Sequence, residues 1–252
     1  MTMQLKLEHP KILSEVISVI SDLVLEVRFR FNENGMSLIA VDPANVALTS
    51  LLIPVSAFSQ FEATEEMIGI NLEGFKSVLR RCRTGSSLIL KTEDNFLRVE
   101  IHDKIKRVFH LALIDIEGQD ATHLKQKMES LNFSNEIEMS SLDFYESIED
   151  CKIMADSCRF EKKENKFVIE ASGLNSVKLE FSSDEAKLSG QDGDGRYSLE
   201  YIQKFARACK VTDKVRLNFT NSNEETYPLK LEFIIGKLAL IFVLAPRQKT
   251  DN

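Results

Sequence analysis

Residues 72–83 read LEGFKSVLRRCR and residues 199–210 read LEYIQKFARACK. At an offset of 127 residues Leu72 falls on Leu199, Phe75 on Ile202, Val78 on Phe205 and Cys82 on Cys209, and beyond them Leu88 falls on Val215 and Leu90 on Leu217. Toward the N-terminus the match continues at an offset of 131 residues. There Leu13 meets Phe144, Ile17 meets Ile148, Phe29 meets Phe160, Met36 meets Phe167, Leu38 meets Ile169, Val46 meets Val177 and Leu48 meets Leu179. The change of offset is a four-residue length difference in one loop. Apolar positions that recur in this way, in the order helix, strands, helix, strands, mark a duplicated structural unit.

Periodicity gives each unit its contents. Residues 10–22 (PKILSEVISVISD) set Ile12, Leu13, Val16, Ile17, Val19 and Ile20 on one helical stripe, with Pro10 suited to the first turn. Residues 72–83 and 199–209 repeat that stripe with Leu72, Phe75, Val78 and Leu79 and with Ile202, Phe205, Ala206 and Cys209. Between the helices, Val24–Phe31, Met36–Val41, Val46–Ile53, Leu88–Lys91, Leu97–Ile101 and Arg107–Leu111 alternate apolar with polar, and Asn34-Gly35, Asp42-Pro43 and Thr84-Gly85 punctuate them. This pattern predicts antiparallel strands joined by tight turns. Each half is thus an α+β unit of two short helices and eight or nine strands, with the helices covering one face of a sheet. Residues 115–132 (DIEGQDATHLKQKMESLN) show no strand alternation and read as the connector between domains 1–114 and 133–252. A short helix over Ala121–Leu131 is the other reading of that segment.

Composition excludes disordered, collagenous and disulfide-scaffold classes, since the chain is 43% apolar with only 10 Gly, 5 Pro and 4 Cys in 252 residues. The N-terminus has no continuous apolar stretch of the kind a secretory signal needs. The longest apolar run, Leu238 to Ala245, is eight residues, the length of a buried strand and short of the ~20 that span a bilayer. Cys82, Cys151, Cys158 and Cys209 form no C-x-x-C pair and read as reduced core thiols of an intracellular protein. With 32 Lys and Arg against 39 Asp and Glu the net charge is −7. Taken alone, that argues against a nucleic-acid partner, because such affinity comes mainly from neutralised phosphates.

A catalytic reading fails position by position. His9, His102, His110 and His123 have no metal-ligand spacing, and no phosphate-binding or nucleophile motif occurs. The run from Gly190 to Gly195 departs from a calcium loop at Arg196 and Tyr197 and reads as a solvated turn. Charge segregates among the helices instead. Residues 72–83 carry Lys76, Arg80, Arg81 and Arg83 against Glu73, a net of +3, and residues 199–210 carry Lys204, Arg207 and Lys210 against Glu200, a net of +2. In both halves the cations form a ridge opposite the apolar stripe. Either they solubilise an amphipathic helix or they face a shared anionic partner, and their recurrence brings the second reading level with the first.

The strings Gly35–Val46 (GMSLIAVDPANV), Asn71–Lys76 (NLEGFK) and Leu244–Arg247 (LAPR), set in a duplicated two-helix chain, resemble the proliferating cell nuclear antigen family, the sliding clamps of archaea and eukaryotes. The resemblance covers essentially the whole chain, and the lack of a long acidic C-terminal extension makes it archaeal in type. It implies a pseudo-sixfold trimeric ring, homomeric or heteromeric, whose helices line a hole around double-stranded DNA. By position Lys76, Arg80, Arg81, Arg83, Lys204, Arg207 and Lys210, with Lys11 more weakly, match the DNA-facing cations. It also implies a pocket for short helical peptides from DNA polymerase, clamp loader, flap endonuclease, DNA ligase and repair proteins. The matching positions are Val41, Asn45, Val46, Leu48, Pro228, Val243, Leu244, Ala245 and Pro246, with Leu124 on the lid. Ring closure would pair Arg107–Leu111 with Ser176–Phe181 of a neighbour, through Arg107, Val108, Phe109, His110, Val177 and Leu179.

The family's activity is non-enzymatic, without cofactor, metal or membrane, in the cytoplasm at the nucleoid, or in the nucleus if the source is eukaryotic. The sequence departs from the pattern at Ser14 and Glu15, where the family often has lysines, and at Glu146 and Glu149, where it often has arginines. Residues 141–153 sum to −3, from Asp143, Glu146, Glu149 and Asp150 against Lys152. That acidity motivates the alternatives of a non-encircling adaptor or one subunit of a mixed ring. A small-molecule enzyme is a third reading.

Overall fold

Where side chains alternate the chain is extended, and where apolar positions recur at helical spacing it coils. The computed structural model describes residues 3–116, 121–220 and 227–247. The first half runs β1 (Gln4–Leu7), α1 (Lys11–Ile20), β2 (Glu26–Asn32), β3 (Gly35–Val41), β4 (Ala47–Pro54), β5 (Gln60–Glu62), β6 (Glu66–Asn71), α2 (Leu72–Leu79), β7 (Ser87–Glu93), β8 (Phe96–His102) and β9 (Lys106–Ala112). After α3 (Ala121–Glu129) the second half runs β10 (Asn135–Ser140), α4 (Ser141–Met154), β11 (Ser157–Lys163), β12 (Lys166–Ser172), β13 (Ser176–Phe181), β14 (Ala186–Gly190) and β15 (Gly193–Ser198). It closes with α5 (Leu199–Ala206), β16 (Lys214–Asn218), β17 (Leu229–Ile235) and β18 (Leu238–Leu244). Each half is therefore strand, helix, five strands, helix, three strands.

Pairing repeats with the order. β1 lies between β5 and β7 as β10 lies between β14 and β16, and β2 lies between β3 and β6 as β11 lies between β12 and β15, all antiparallel. The chain forms two compact units. The first holds residues up to Pro43, Thr49–Gln126 and Ile235–Leu240, and the second holds Ala44–Leu48, Lys127–Ile234 and the residues from Ile241 onward. β4 and β18 thus each contribute residues to both.

Local chemistry sets the elements. The Asn71 side chain accepts from the backbone N–H groups of Glu73 (3.0 Å) and Gly74 (3.3 Å), starting α2. Gly35 closes the β2–β3 hairpin at φ +129, where a Cβ would stand 2.1 Å from the Ile53 carbonyl oxygen. In the second unit Phe160 meets Phe144, Phe167, Tyr197 and Phe219 at centroid distances of 5.8 to 6.4 Å, and Phe205 stacks on Phe242 at 4.4 Å. Cys151, Cys158 and Cys209 are buried and Cys82 is half-buried, all unbridged. Burial raises their thiols, Cys82 and Cys151 to about 11 and Cys209 to about 12.

Three strands carry little sequence signal. β1 alternates but spans only four residues, β5 spans three, and β6 buries Ile68, Gly69 and Ile70 in succession. Gly69 is dictated by crowding: Ile114 donates to its carbonyl at 2.9 Å, and an added Cβ would lie 2.2 Å from the Ile114 oxygen. Of the two readings of the connector, the helix is the one observed, as α3, while residues 117–120 lie outside the described residues. The helical run expected to Arg83 ends at Leu79, and the run in the second half ends at Ala206 and continues as a 3-10 helix over Arg207–Val211.

Two carboxylates anchor the sheet faces. In the first unit Glu100, 2% exposed, lies 2.8 Å from each of Arg98, His102 and Lys106. Burial pushes its carboxyl up, but hydrogen bonds from Lys106 and His102 and the charges of Arg98 and Lys106 outweigh that and hold it at about 2. In the second unit Glu138 on β10 accepts from Lys214 (2.8 Å) and Arg216 (3.0 Å) of β16 and is likewise held at about 2. Both folded values lie below the ordinary 4.5, so their stabilisation is complete above pH 4.5 and is lost as pH falls toward 2. Acid unfolding followed by circular dichroism should show that loss between pH 5 and 2. Glu100→Gln should lower stability at pH 7 by about 2 kcal/mol and flatten the dependence in that window.

Candidate functional site

In the first unit α1 packs against α2. Lys11 is exposed at the first position of α1. Arg80 caps the C-terminal end of α2, its N–H donating to the Lys76 carbonyl at 3.0 Å, and Arg81 and Arg83 follow in the turn. Arg107 of β9 donates to the Arg81 carbonyl at 3.1 Å and pins that turn to the sheet. Arg80, Arg81 and Arg83 are exposed, and the carbonyl end of α2 favours cations there. Lys76 differs from its expected role: its side chain is 11% exposed and its ammonium lies 3.3 Å from Glu73.

In the second unit α4 packs against α5. Lys204 sits 3.3 Å from Glu200 and 5.2 Å from the Tyr201 ring centroid, and Lys210 sits 5.5 Å over the Tyr145 ring. Arg207 is half-buried at the end of α5 and also has interaction partners. On α4 the ammonium of Lys152 donates to Gln203, whose amide donates to Glu149 at 3.0 Å, while Asp143, Glu146 and Asp150 are exposed. The Glu200–Lys204 pairing is readable from its i,i+4 spacing. The Lys210–Tyr145 contact joins residues far apart in sequence and left no signal.

The expected docking residues separate into two kinds. Val41, Val46, Leu48, Leu124, Pro228 and Pro246 are half-buried, and Asn45, at φ +57, and Ala245 are exposed. The Ala245 N–H donates to the Val46 carbonyl at 2.9 Å within the second unit. Leu244 is fully buried and Val243 is 9% exposed, so these two pack the core rather than offer a surface. In the first unit a depression of about 440 Å³, lined by Leu7, Ile12, Leu13, Ile53, Phe58 and Leu238 among others, contains none of the expected docking positions.

The expected assembly strands are both sheet termini: β9 ends the order β5-β1-β7-β8-β9, and β13 begins the order β13-β12-β11-β15. On β9, Val108 is 39% exposed, Arg107 is ion-paired with Asp103, and Phe109 is half-buried. His110 lies 3.8 Å from Glu93 and edge-on to Phe96. On β13, Val177 and Leu179 are half-buried between exposed Ser176, Lys178 and Glu180. Among the described residues no helix is long and apolar enough to cross a membrane.

Paired helices over antiparallel sheets, built twice in one chain, define the α+β DNA clamp fold. Residues 2–123 match the N-terminal domain of proliferating cell nuclear antigen. The chain is 32% identical to DNA polymerase sliding clamp 1 of Thermococcus kodakarensis, over 98% of this chain and 99% of that one, and 30% identical to the DNA polymerase sliding clamp of Pyrococcus abyssi at the same coverage. Among solved structures it is similar to the PCNA2–PCNA3 complex from Sulfolobus tokodaii, with a TM-score of 0.86 and 25% identity over 97% of this chain and 99% of that one. The fold is also that of proliferating cell nuclear antigen from Entamoeba histolytica, with a TM-score of 0.88 and 23% identity over 97% and 98%. The chain belongs to the family of DNA polymerase sliding clamps, that of proliferating cell nuclear antigen.

Burial divides the C-terminal segment into core and surface, and denaturant unfolding should report that division. Leu244→Ala is expected to cost about 2–5 kcal/mol. Ala245→Asp is expected to change stability by no more than about 0.5 kcal/mol.

Proposed function

We propose that this chain works as a DNA sliding clamp that closes into a three-subunit ring, homomeric or mixed, around duplex DNA. The observation that carries the ring is the pairing pattern of the duplicate. β4 and β18 are neighbours in one sheet. By element order their counterparts are β13 and β9, and each of these ends its sheet with backbone groups open on one side. Pairing β9 of one subunit with β13 of the next repeats between chains what β18 and β4 do within one, and it removes two exposed edges. Val108, His110, Val177 and Leu179 are then interface side chains, with Arg107 and Phe109 beside them.

The mechanism is topological. A closed ring needs no tight grip on DNA, because it cannot leave a strand without ends, so weak phosphate contacts permit sliding. Partners then dock on the surface around Val41, Asn45, Val46, Leu48, Ala245 and Pro246, with Pro228 beside them and Leu124 on the lid. Val243 and Leu244 hold that surface from the core. Polymerase, flap endonuclease, ligase and clamp loader are the expected users, and tethering raises their effective concentration at the primer end. The working division is domain 1–114, connector 115–132 and domain 133–252, in the cytoplasm at the nucleoid, with no chemistry of its own. The acidic exposed face of α4 favours a second reading, in which the chain is a docking platform that does not encircle DNA by itself.

Retention on DNA separates the two. Loaded by its clamp loader on nicked circular DNA, the chain should stay bound through a high-salt wash and be released when the circle is cut. Release by salt alone, equal on circular and linear DNA, would favour the non-encircling platform.

A further inference from the structure

Resting on the sliding-clamp reading, we infer that phosphate contact is carried by the first repeat alone, through Lys11, Arg80, Arg81 and Arg83, while the α4–α5 face of the second repeat stands off the duplex. The equivalence expected from sequence gave both repeats a basic ridge. The structure makes the two ridges unlike.

In the first unit Lys11, Arg80, Arg81 and Arg83 are exposed, and among the described residues none of their side chains has a hydrogen-bond or ion-pair partner. Only Lys76 is withdrawn, held to Glu73 at 3.3 Å. In the second unit every candidate cation is occupied. Lys204 is held by Glu200 and the Tyr201 ring, Lys210 by the Tyr145 ring, Lys152 by Gln203, and Arg207 has partners of its own. Three exposed carboxylates, Asp143, Glu146 and Asp150, share that face, and exposed Leu142 and Ile153 offer nothing to a phosphate.

A free cation gains its interaction with phosphate together with the entropy of a released counterion, about 0.9 of an ion per contact on duplex DNA. A cation already neutralised by a carboxylate gives up that partner first and leaves the carboxylate facing phosphate. Like charges across an interface are penalised, so the acidic α4 acts as a spacer that selects which sector the duplex touches. The duplex therefore rests on the turn after α2, whose position the Arg107 bond to the Arg81 carbonyl fixes. The surface that reads the anionic backbone is a patch of three arginines and one lysine per subunit.

Binding of the assembled protein to a fluorescent duplex of about 30 base pairs, measured by anisotropy across a salt series, tests this. Arg80→Gln/Arg81→Gln/Arg83→Gln should weaken binding at low salt by about tenfold or more, and flatten the plot of log affinity against log salt by about one for each arginine in contact. Lys204→Gln/Lys210→Gln should change affinity by less than about twofold, and Asp143→Asn/Glu146→Gln/Asp150→Asn should strengthen it. Equal losses from the two cation sets, or no gain from neutralising α4, would overturn the inference and leave the clamp standing. An assembled wild-type protein that binds no duplex at low salt would also overturn the inference, while the clamp reading falls only if the loaded protein is not retained on circular DNA. Native mass and unfolding midpoint, unchanged in all variants, confine the readout to the surface.

Discussion

Backbone N–H and C=O groups at the end of a β-sheet have no partner within it, and the rest of this structure is arranged around that constraint. β9 and β13 end their sheets, while their counterparts β18 and β4 are neighbours in one. The proposed ring would apply at the β9 and β13 edges, between chains, the pairing that β18 and β4 make within one. The side chains agree with this use. Val177 and Leu179 on β13 and Val108 on β9 are partly exposed apolar residues, where a solvent-facing edge usually carries charge to discourage pairing. Glu100, with Arg98, His102 and Lys106 around it, ties β8 to the edge strand through Lys106 of β9 and keeps that edge extended.

Most of the fold was legible in the sequence because it rests on periodicity. The stripe Ile12, Leu13, Val16, Ile17 and its counterparts predicted helices where helices lie, and the alternating stretches from Val24 to Leu111 predicted strands within a residue or two. What escaped was structure with little or no period. β1 alternates but spans only four residues, β5 spans three, and β6 is bridged by Ile114 at Gly69, which leaves no room for a Cβ there, and buries Ile68, Gly69 and Ile70 in succession. The connector offers α3 only as the second of two readings, because its apolar residues are few. The ends of α2 and α5 were overrun because the stripe continues through Cys82 and Cys209 after the backbone has left the α-helix.

The candidate surfaces were legible by position and opaque by state. Residue type showed cations in both repeats, yet only packing shows that Lys76 is buried against Glu73 and that Lys210 lies over Tyr145. The family resemblance likewise joins Leu244 to Ala245 in one pocket, whereas burial assigns the first to the core and the second to the surface. The net charge of −7 is similarly coarse. It is compatible with duplex DNA because the charge is segregated, with free arginines in the turn after α2, Lys204 paired with Glu200 on α5 and Lys210 over the Tyr145 ring in the turn that follows.

The mass of the native particle tests ring closure most directly. Light scattering or native mass spectrometry, on the chain alone and mixed with any sibling clamp chains of the same genome, should give a closed particle of three subunits, three times 28.7 kDa if homomeric. Val108→Asp on β9 should break that particle without unfolding the chain. A chain that stays at 28.7 kDa at micromolar concentration, alone and with every sibling, would contradict the pairing of β9 with β13.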